Sequence, residues 1–361
     1  MVLRIGINAL YLLPGGVGGT EIYLRSLLAA LAAEDAINQY VIYSNRETGT
    51  TLAPPRVNFL SMPLEVRAAN RPVRILHEQL ELPWRLRRDR IDVLLNPGFT
   101  APVLAHCPQV TVIHDLQHKR HPEYFRWFDL PFWRLLVWAA VRRSDKLIAV
   151  SQATKDDLAR FYGVSDAAVT VVEHGVDERF FEIAGERTRV EPMLLCVSTL
   201  HPHKNIERLV RVFARLTARR PELRLVLAGM KGFQTSPIEA LIAELGVGAK
   251  VVLTGWIPRE ELYSYFRRAA AFVYPSTFEG FGMPVVEALA AGVPLACSDI
   301  EPLRSIVRGA AFLFKPEDEG GMEAALERLL SGAAPEAPNP ARDYSWRAAA
   351  RETLRVLRGV C

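Results

Sequence analysis

Short apolar runs alternate along the whole chain with longer segments in which apolar residues recur every three or four positions. The runs predict buried parallel strands, and the segments between them predict helices that cover the faces of a sheet. Strands are predicted in the first half near residues 2–8, 40–43, 91–95, 110–113, 146–150 and 169–172, and in the second half near 193–197, 223–228, 251–253, 271–274 and 294–297. The pattern indicates an α/β fold with two Rossmann-like, doubly wound parallel-sheet domains.

The boundary between the two halves falls in a polar stretch that has no periodicity. We assign residues 184–192 to an interdomain linker, which leaves a first domain at 1–183 and a second at 193–345, followed by a helical segment at 346–361. The chain has 361 residues, of which 50% are hydrophobic, and this is enough for two packed cores. Two doubly wound domains facing each other predict a central ligand cleft at the carboxyl ends of both sheets.

The charge balance gives no indication of a nucleic-acid partner. The formal net charge is only +4, and seven of the 44 basic residues are lysine, which leaves 37 arginines suited to forked recognition of phosphate. No zinc-finger spacing, helix-turn-helix pattern or basic run with stacking aromatic residues occurs. The four cysteines lie far apart in the sequence, which predicts reduced residues rather than a disulfide framework.

The sequence predicts a cytoplasmic protein. Its N-terminus runs directly into a predicted strand without a signal-like leader, and no apolar run approaches the roughly 18 residues that span a bilayer. One segment, residues 126–143, is both aromatic and basic. Burial as a core helix is the preferred interpretation of this segment, and the alternative is a peripheral contact with an anionic membrane.

The most informative chemistry lies in the segment from Pro275 to Ala288, where a glycine turn precedes a predicted helix. Gly280 and Gly282 allow the backbone to approach a ligand closely, and Pro284 fits the first helical position. The positive end of the helix then suits a diphosphate, with Phe281 and Met283 interleaved at its start. Eight residues at about 1.5 Å rise put Glu279 and Glu287 about 12 Å apart along the axis. The alternative is an ordinary turn in which both glutamates only cap or are solvated.

Two further loops have the composition of phosphate-binding elements. The loop Ser198–Asn205 follows the first strand of the second domain, and Lys204 at a helix start could bind a phosphate while Asn205 caps the helix. A glycine-rich loop with Gly16 and Gly18 follows the first strand of the chain, although it does not fit the dinucleotide fingerprint because Glu21 stands where the third glycine is required.

Other candidates follow predicted strands. His114 could form a hydrogen bond with a sugar hydroxyl, and Asp115 could fix its tautomer or cap the residues that follow, although a histidine in this position is often only structural. Lys231 is a candidate second phosphate ligand, and Trp256 and Ile257 are candidates for contact with a nucleobase. No Asp-x-Asp or Cys-x-x-Cys pattern occurs, and we expect neither a metal nor a cofactor.

The segment from Glu279 to Glu287, followed by Gly292-Val293-Pro294, resembles the Glu-(seven residues)-Glu signature of retaining glycosyltransferases of family 4, which have the GT-B fold. The resemblance extends to the loop Thr199-Leu200-His201-Pro202-His203-Lys204-Asn205 and covers nearly the whole chain. The sequence departs from the family where Ser198 replaces a glycine, Thr199 stands at a position often held by arginine, and His203 replaces an arginine of the threonine-type members.

The resemblance implies a metal-independent hexosyltransferase that uses a nucleotide-sugar as co-substrate and a saccharide or lipid-linked acceptor. It implies catalytic roles for Glu279, His114 and Lys204, and a return of the terminal helix to the first domain. The donor would be bound by the residues of the three loops and the turn, namely Gly16, Gly18, Thr199, His203, Lys204, Asn205, Lys231, Trp256, Ile257, Glu279, Gly280, Phe281, Gly282, Met283 and Glu287.

The donor sugar stays open at this point. The chain is most similar to bacterial mannosyltransferases of polysaccharide assembly, which makes GDP-mannose the first expectation, with a UDP-hexose as the second. A sugar-nucleotide epimerase or phosphorylase of the same fold also stays open, as does a non-catalytic protein that binds nucleotide-sugars.

Overall fold

The computed structural model describes residues 2–16, 18–230, 232 and 234–361, and the chain forms two compact units. The first unit comprises the chain up to Gly175 together with Ser345–Cys361, and the second comprises Val176–Tyr344. The second unit is therefore continuous in sequence, whereas the first is built from two separate segments.

The described residues of the first unit form a parallel sheet of seven strands in the order β3-β2-β1-β4-β5-β6-β7. The strands are β1 (Arg4–Asn8), β2 (Gln39–Ser44), β3 (Phe59–Pro63), β4 (Val93–Asn96), β5 (Gln109–Ile113), β6 (Lys146–Ala149) and β7 (Val169–Val171). The first helices of the chain are α1 (Gly19–Glu34), α2 (Arg71–Leu76), α3 (Leu82–Arg88), α4 (Gln117–Arg120), α5 (Leu130–Arg143) and α6 (Gln152–Tyr162), with a π-helical turn at His77–Glu81 between α2 and α3.

The described part of the second unit forms a parallel sheet of six strands in the order β10-β9-β8-β11-β12-β13. The strands are β8 (Glu191–Val197), β9 (Arg224–Ala228), β10 (Val251–Gly255), β11 (Ala269–Tyr274), β12 (Leu295–Ser298) and β13 (Phe312–Phe314). The remaining helices are α7 (Glu178–Glu186), α8 (Ile206–Arg219), α9 (Thr235–Glu244), α10 (Arg259–Arg268), α11 (Met283–Ala290), α12 (Leu303–Val307), α13 (Glu319–Leu330) and α14 (Trp346–Arg358).

The pattern of apolar positions explains how α8 packs in the second unit. One face of this helix is buried against the sheet through Ile206, Leu209, Val210, Phe213 and Leu216. Its opposite face carries Arg215 and Arg219, whose guanidinium groups form ion pairs with Glu319, Glu323 and Glu327 of α13. The positive charges of Arg215 and Arg219 are therefore neutralised within the unit.

The predicted α/β class with two doubly wound sheets is confirmed, but two strands were missed. Both β3 and β13 lie at an edge of their sheet. The sequence of β3, Phe-Leu-Ser-Met-Pro, has no clear alternation, and β13 is only three residues long. Edge strands are short and tolerate proline, because one of their sides makes no ladder hydrogen bonds.

The predicted linker at 184–192 does not exist as a separate segment. Its first residues complete α7, which ends at Glu186, and its last residues begin β8 at Glu191. The change between units comes earlier, between Gly175 and Val176, so that α7 belongs to the second unit and not to a first domain ending at residue 183. Helix α7 was not predicted because most of its surface is polar and its buried side consists of only two residues, Phe180 and Ile183.

The last helix packs within the first unit, against α1. Glu34 at the end of α1 forms ion pairs with Arg347 and Arg351 of α14, with N–O distances of 2.7 and 2.5 Å. The ring of Trp346 stacks on His174, with ring centroids 5.7 Å apart. A Cβ atom on Gly175 would lie 2.0 Å from the backbone nitrogen of Trp346, so only glycine permits this close approach.

Among the described residues, no helix is both long enough and apolar enough to cross a bilayer. The cysteines carry free thiols, and Cys107, Cys196 and Cys297 are buried.

Candidate functional site

Lys204 and Glu279 form a mostly buried ion pair in the second unit. The Lys204 ammonium donates to Oε1 of Glu279 at 2.5 Å and to the Tyr274 hydroxyl at 2.9 Å. The two paired side chains are only 13% and 10% exposed. Tyr274 is the last residue of β11, and Lys204 follows β8, the neighbouring strand. Because the carboxyl ends of parallel strands meet at one edge of the sheet, the fold brings together two residues that are 75 positions apart.

The loops that carry this pair are tied to each other. Asn205 adopts a left-handed conformation with φ of 57°, and its side-chain amide donates to the carbonyls of Pro275 and Pro316 at 3.1 and 2.8 Å. The backbone N–H of Thr277 donates to the carbonyl of His203 at 2.7 Å. The prediction that Asn205 caps α8 through its side chain is wrong, because the amide holds the loop after β11 instead.

The glycine turn directs the chain from β11 into α11. Gly282 precedes the helix with φ of 120°, and a Cβ atom there would approach Cδ2 of Leu303 to 2.5 Å. Phe281 is buried against the ring of Tyr344, and Pro284 lies in the first turn after Met283. Because α11 begins at Met283, Glu279 lies in the turn before the helix, and the predicted 12 Å separation along one helix axis does not apply.

Glu287 is held by an arginine that the sequence interpretation missed. Oε1 of Glu287 lies 3.2 Å from Nη1 of Arg259, whose Nη2 lies 3.5 Å from Oδ2 of Asp177. The Tyr263 hydroxyl donates to the same Asp177 oxygen at 2.5 Å. Arg259 is the first residue of α10 and follows directly on Ile257 and Pro258, so its position beside the predicted nucleobase loop was the available signal.

Charge in this cluster is set by burial and by the guanidinium. Burial raises the pKa of Glu287, and the positive charge of Arg259 opposes that rise. Burial also opposes the charge of Arg259, but Glu287, Tyr263 and Asp177 together outweigh burial and raise the pKa of the guanidinium above its ordinary value. Arg259 therefore stays protonated, and its charge favours the ionised form of Glu287.

The other predicted residues of the second unit lie in its strand-to-helix loops. The loop of Thr199 packs closely against the end of β9, because a Cβ on Gly229 would lie 2.1 Å from the carbonyl oxygen of Ser198. The Nδ1 atom of His203 lies 2.7 Å from Nδ1 of His201. Trp256, beside Ile257, is 64% exposed, so its ring is presented to solvent rather than packed. Lys231 lies outside the described residues.

The predicted residues of the first unit are Gly16, Gly18 and His114. Gly18 precedes α1 with φ of 57°, as expected for a glycine loop. In that loop the carboxylate of Glu21 accepts from the backbone N–H of Gly15 at 2.8 Å, so an acidic side chain already occupies one of its amide donors.

His114 is a buried, neutral histidine. Its Nε2 lies 2.9 Å from the carbonyl of Pro97, and since a carbonyl can only accept, Nε2 carries the proton. Burial lowers the pKa of His114 to about 4. The Pro97 carbonyl thus sets the tautomer that we expected Asp115 to set, while Oδ1 of Asp115 accepts from the backbone N–H of Gln117.

Within the part of the chain that the structure describes, no group of three or more His, Cys, Asp or Glu side chains is arranged to hold a metal ion. In the second unit, a diphosphate could be bound by Lys204, by the N-terminus of α11 and by backbone amides.

Two parallel-sheet α/β units of this kind are the architecture of GT-B glycosyltransferases. The Anabaena protein HepE, solved in complex with UDP and glucose, superposes with a TM-score of 0.75 over 99% of both chains at 19% identity. A model of the glycosyl transferases group 1 matches residues 178–349, and a model of glycosyltransferase family 4 matches residues 17–180. The chain therefore carries a glycosyltransferase family 4 domain followed by a glycosyl transferases group 1 domain.

Curated relatives of the chain include bacterial mannosyltransferases. The O-antigen chain mannosyltransferase RfbU of Salmonella typhimurium is 27% identical over 64% of this chain and 62% of its own length. The MMP alpha-(1->4)-mannosyltransferase of Mycolicibacterium hassiacum is 31% identical over 68% of this chain and 64% of its own length. The matched region thus spans somewhat less than two thirds of each of these relatives.

Proposed function

We propose that this protein transfers a hexose from a nucleotide-sugar to a saccharide or lipid-linked saccharide acceptor, with retention at the anomeric carbon and without a metal ion. The observation that carries the proposal is the buried Lys204–Glu279 pair at the carboxyl edge of the second sheet. An ammonium fixed beside a helix N-terminus favours the negative charge that develops on a departing diphosphate.

Lys204 can serve this role without losing its partners. An ammonium has three donors, and those to Glu279 and Tyr274 account for two of them within the described residues. The third donor is available for a phosphate oxygen. Binding of the donor then adds an anion to a site that the fold has already organised, which keeps the reorganisation cost low.

In the second unit, Glu279 orients hydroxyl groups of the hexose and Glu287 accepts hydrogen bonds from the ribose hydroxyls. In the first unit, neutral His114 is the residue that we propose as a contact for a sugar hydroxyl of a substrate. In the transfer, the bond between the anomeric carbon and the diphosphate oxygen breaks, and a bond to the acceptor oxygen forms on the same face. The departing phosphate oxygen takes the proton of the acceptor hydroxyl.

The proposed donor is GDP-mannose, and a UDP-hexose is the alternative. The mannosyltransferases among the relatives support mannose, whereas the UDP and glucose in the HepE structure support the alternative. The loop around Trp256 and Ile257 would contact the nucleobase. The proposed setting is polysaccharide assembly in the cytoplasm.

Thermal unfolding in the presence of GDP, UDP, ADP or dTDP, with a chelator and without added metal, tests the donor class directly. A ligand that binds only the folded protein raises the unfolding temperature, by an amount that grows with its affinity. A shift with GDP alone would support GDP-mannose, and a shift with UDP alone would replace it by a UDP-hexose. No shift with any nucleotide would contradict the proposal.

Release of nucleoside diphosphate separates the other enzymes of this fold from a transferase. A transferase releases the diphosphate in proportion to an added acceptor. An epimerase would convert the nucleotide-sugar without an acceptor, a phosphorylase would require inorganic phosphate in place of a saccharide, and a non-catalytic binding protein would bind it without turnover.

Replacement of Arg259 by alanine is expected to weaken binding of the donor nucleotide roughly tenfold, because Glu287 loses the charge that favours its ionised form and holds its carboxylate in place. The effect should fall on KM more than on kcat. Wild-type protein should bind the nucleotide more tightly than its 2′,3′-dideoxy analogue, and the variant should distinguish the two far less.

Two further variants control this experiment. Arg259→Lys should recover part of the discrimination, because a cation remains beside Glu287. Arg211→Ala removes an exposed arginine of α8 and should leave both affinities unchanged. If Arg259→Ala still favoured the ribose form as strongly as wild type, Arg259 would have no part in positioning Glu287.

A further inference from the structure

Helix α5 of the first unit exposes a face that is both apolar and cationic. Five of its seven exposed residues recur at helical spacing, and they are Pro131, Arg134, Leu135, Trp138 and Arg142; the other two are Phe132 and Arg143. Leu135 and Trp138 are 58% and 50% exposed, and Trp127, just before the helix, is 84% exposed. Val137, Ala140 and Val141 on the opposite side are buried. The expectation of a core helix thus holds for one face only.

A pocket of about 360 Å³ opens on this exposed face. Residues from α4, α5 and α6 line it, and they are Lys119, Arg134, Leu135, Trp138, Arg142, Phe161 and Tyr162. Three positive charges and three aromatic rings therefore surround one cavity. Its volume is large enough for a phosphate group together with the first atoms of its substituents.

The three cations of the pocket are not neutralised by the protein. Among the described residues, none of Lys119, Arg134 and Arg142 forms an ion pair with a carboxylate, in contrast to Arg215 and Arg219 of α8. The Lys119 ammonium lies 4.9 Å from the centre of the Tyr162 ring, and Arg142 donates only to the Tyr162 carbonyl, at 3.5 Å. Helix α5 contains no acidic residue. The described part of the chain therefore provides no anion that would balance the pocket.

His118 adds no charge to this group. Its Nε2 lies 2.7 Å from the Tyr162 hydroxyl, and burial, with the charges of Lys119 and Arg134, lowers its pKa to about 4. The imidazole is therefore neutral near pH 7 and serves to hold the Tyr162 ring in the wall of the pocket. The shape of the pocket is thus supported from α4 as well as from α6.

We propose that this face docks the first unit on an anionic lipid bilayer, with the phosphate of one headgroup in the pocket between Lys119, Arg134 and Arg142. Arginine and lysine pair with phosphate oxygens, and exposed tryptophan is favoured at the level of the headgroups. A free anion would account for the pocket but not for the exposed Trp127, Leu135 and Trp138 around it. The proposal concerns the first unit alone, so its failure would leave the proposed transferase activity untouched.

Sedimentation of the full chain with vesicles tests this proposal. The protein should bind vesicles made of equal parts phosphatidylglycerol and phosphatidylcholine, and bind phosphatidylcholine alone far more weakly. The double variant Arg134→Gln/Arg142→Gln should lower partitioning onto the anionic vesicles roughly 30-fold, because each basic side chain near such a surface contributes about a factor of five. Added salt should weaken the binding of wild type more than that of the double variant.

The matched control is Arg56→Gln/Arg211→Gln, which removes the same charge from two exposed arginines that form no ion pair among the described residues. It should bind the anionic vesicles nearly as well as wild type, and each variant should keep the wild-type unfolding temperature. A third variant, Leu135→Ser/Trp138→Ser, should weaken binding while leaving its salt dependence unchanged.

Three results would overturn the proposal. One is equal binding of wild type to both kinds of vesicle, or to neither. Another is an equal loss of vesicle binding in Arg134→Gln/Arg142→Gln and in the control Arg56→Gln/Arg211→Gln, because binding would then depend on net charge alone. The third is a thermal shift with glycerol 3-phosphate that depends on Arg134 and Arg142 while no vesicle is bound, because the pocket would then hold a soluble phosphate and not a membrane.

Discussion

The Glu279→Ala variant should lose sugar transfer by at least about 100-fold in kcat while it binds the nucleoside diphosphate nearly as tightly as wild type. Glu279 lies in the turn before α11 and contacts Lys204 through one oxygen. In our proposal its carboxylate orients the hexose, which is the part of the donor that the diphosphate product lacks. Single-turnover rates with the nucleotide-sugar, together with calorimetric affinity for the diphosphate, measure the two effects separately.

The control for this variant is Glu244→Ala, which truncates an exposed glutamate at the end of α9 and should leave transfer unchanged. Glu279→Gln keeps the shape of the side chain and should retain more activity than alanine, since the amide oxygen can still accept a hydrogen bond. Wild-type transfer by Glu279→Ala would remove this residue from the site.

The Lys204→Ala variant should lose both binding and turnover. We expect the affinity for the nucleoside diphosphate to fall about 10- to 100-fold. The loss in kcat/KM should be larger than the loss in affinity, because the charge on the leaving group grows in the transition state. Part of the loss has a second cause. Without Lys204, the carboxylate of Glu279 is mostly buried and unpaired beside the diphosphate, which it then repels.

This coupling gives the experiment a specific control. The double variant Lys204→Ala/Glu279→Ala should bind the diphosphate more tightly than Lys204→Ala alone, because the repelling carboxylate is gone. Lys250→Ala, in the turn before β10, should behave as wild type. Unchanged diphosphate affinity in Lys204→Ala would exclude this lysine as a phosphate ligand.

The sequence was sufficient to predict the fold class and the loops of the candidate site, for a physical reason. A fully buried parallel strand is a continuous apolar run, as in Leu194–Val197 and Phe272–Tyr274, and such runs stand out from helical periodicity. Ligand-binding residues follow the ends of those strands. Lys204 and Glu279 could therefore be proposed separately, although only the pairing of β8 with β11 showed that they touch.

Features that depend on tertiary contacts could not be predicted. Arg259 is one arginine among 37, and only the fold brings it to Glu287. The capping role of Asn205 was a local prediction, and it was wrong because two carbonyls from distant loops compete successfully for the amide. The exposed face of α5 was predicted to be buried, since apolar composition alone does not tell a core helix from a docking face.

The return of α14 to α1 affects the order in which the two units can be completed during synthesis. The second unit becomes available as one continuous stretch of chain, whereas the first unit still lacks the Trp346 ring and the Arg347 and Arg351 partners of Glu34. The hydrophobic side of α1 around Tyr23 and the ring of His174 therefore lack their contacts with α14 during the synthesis of the whole second unit. The unit that begins first is therefore the one that is completed last, and part of its apolar surface stays uncovered until α14 has been made.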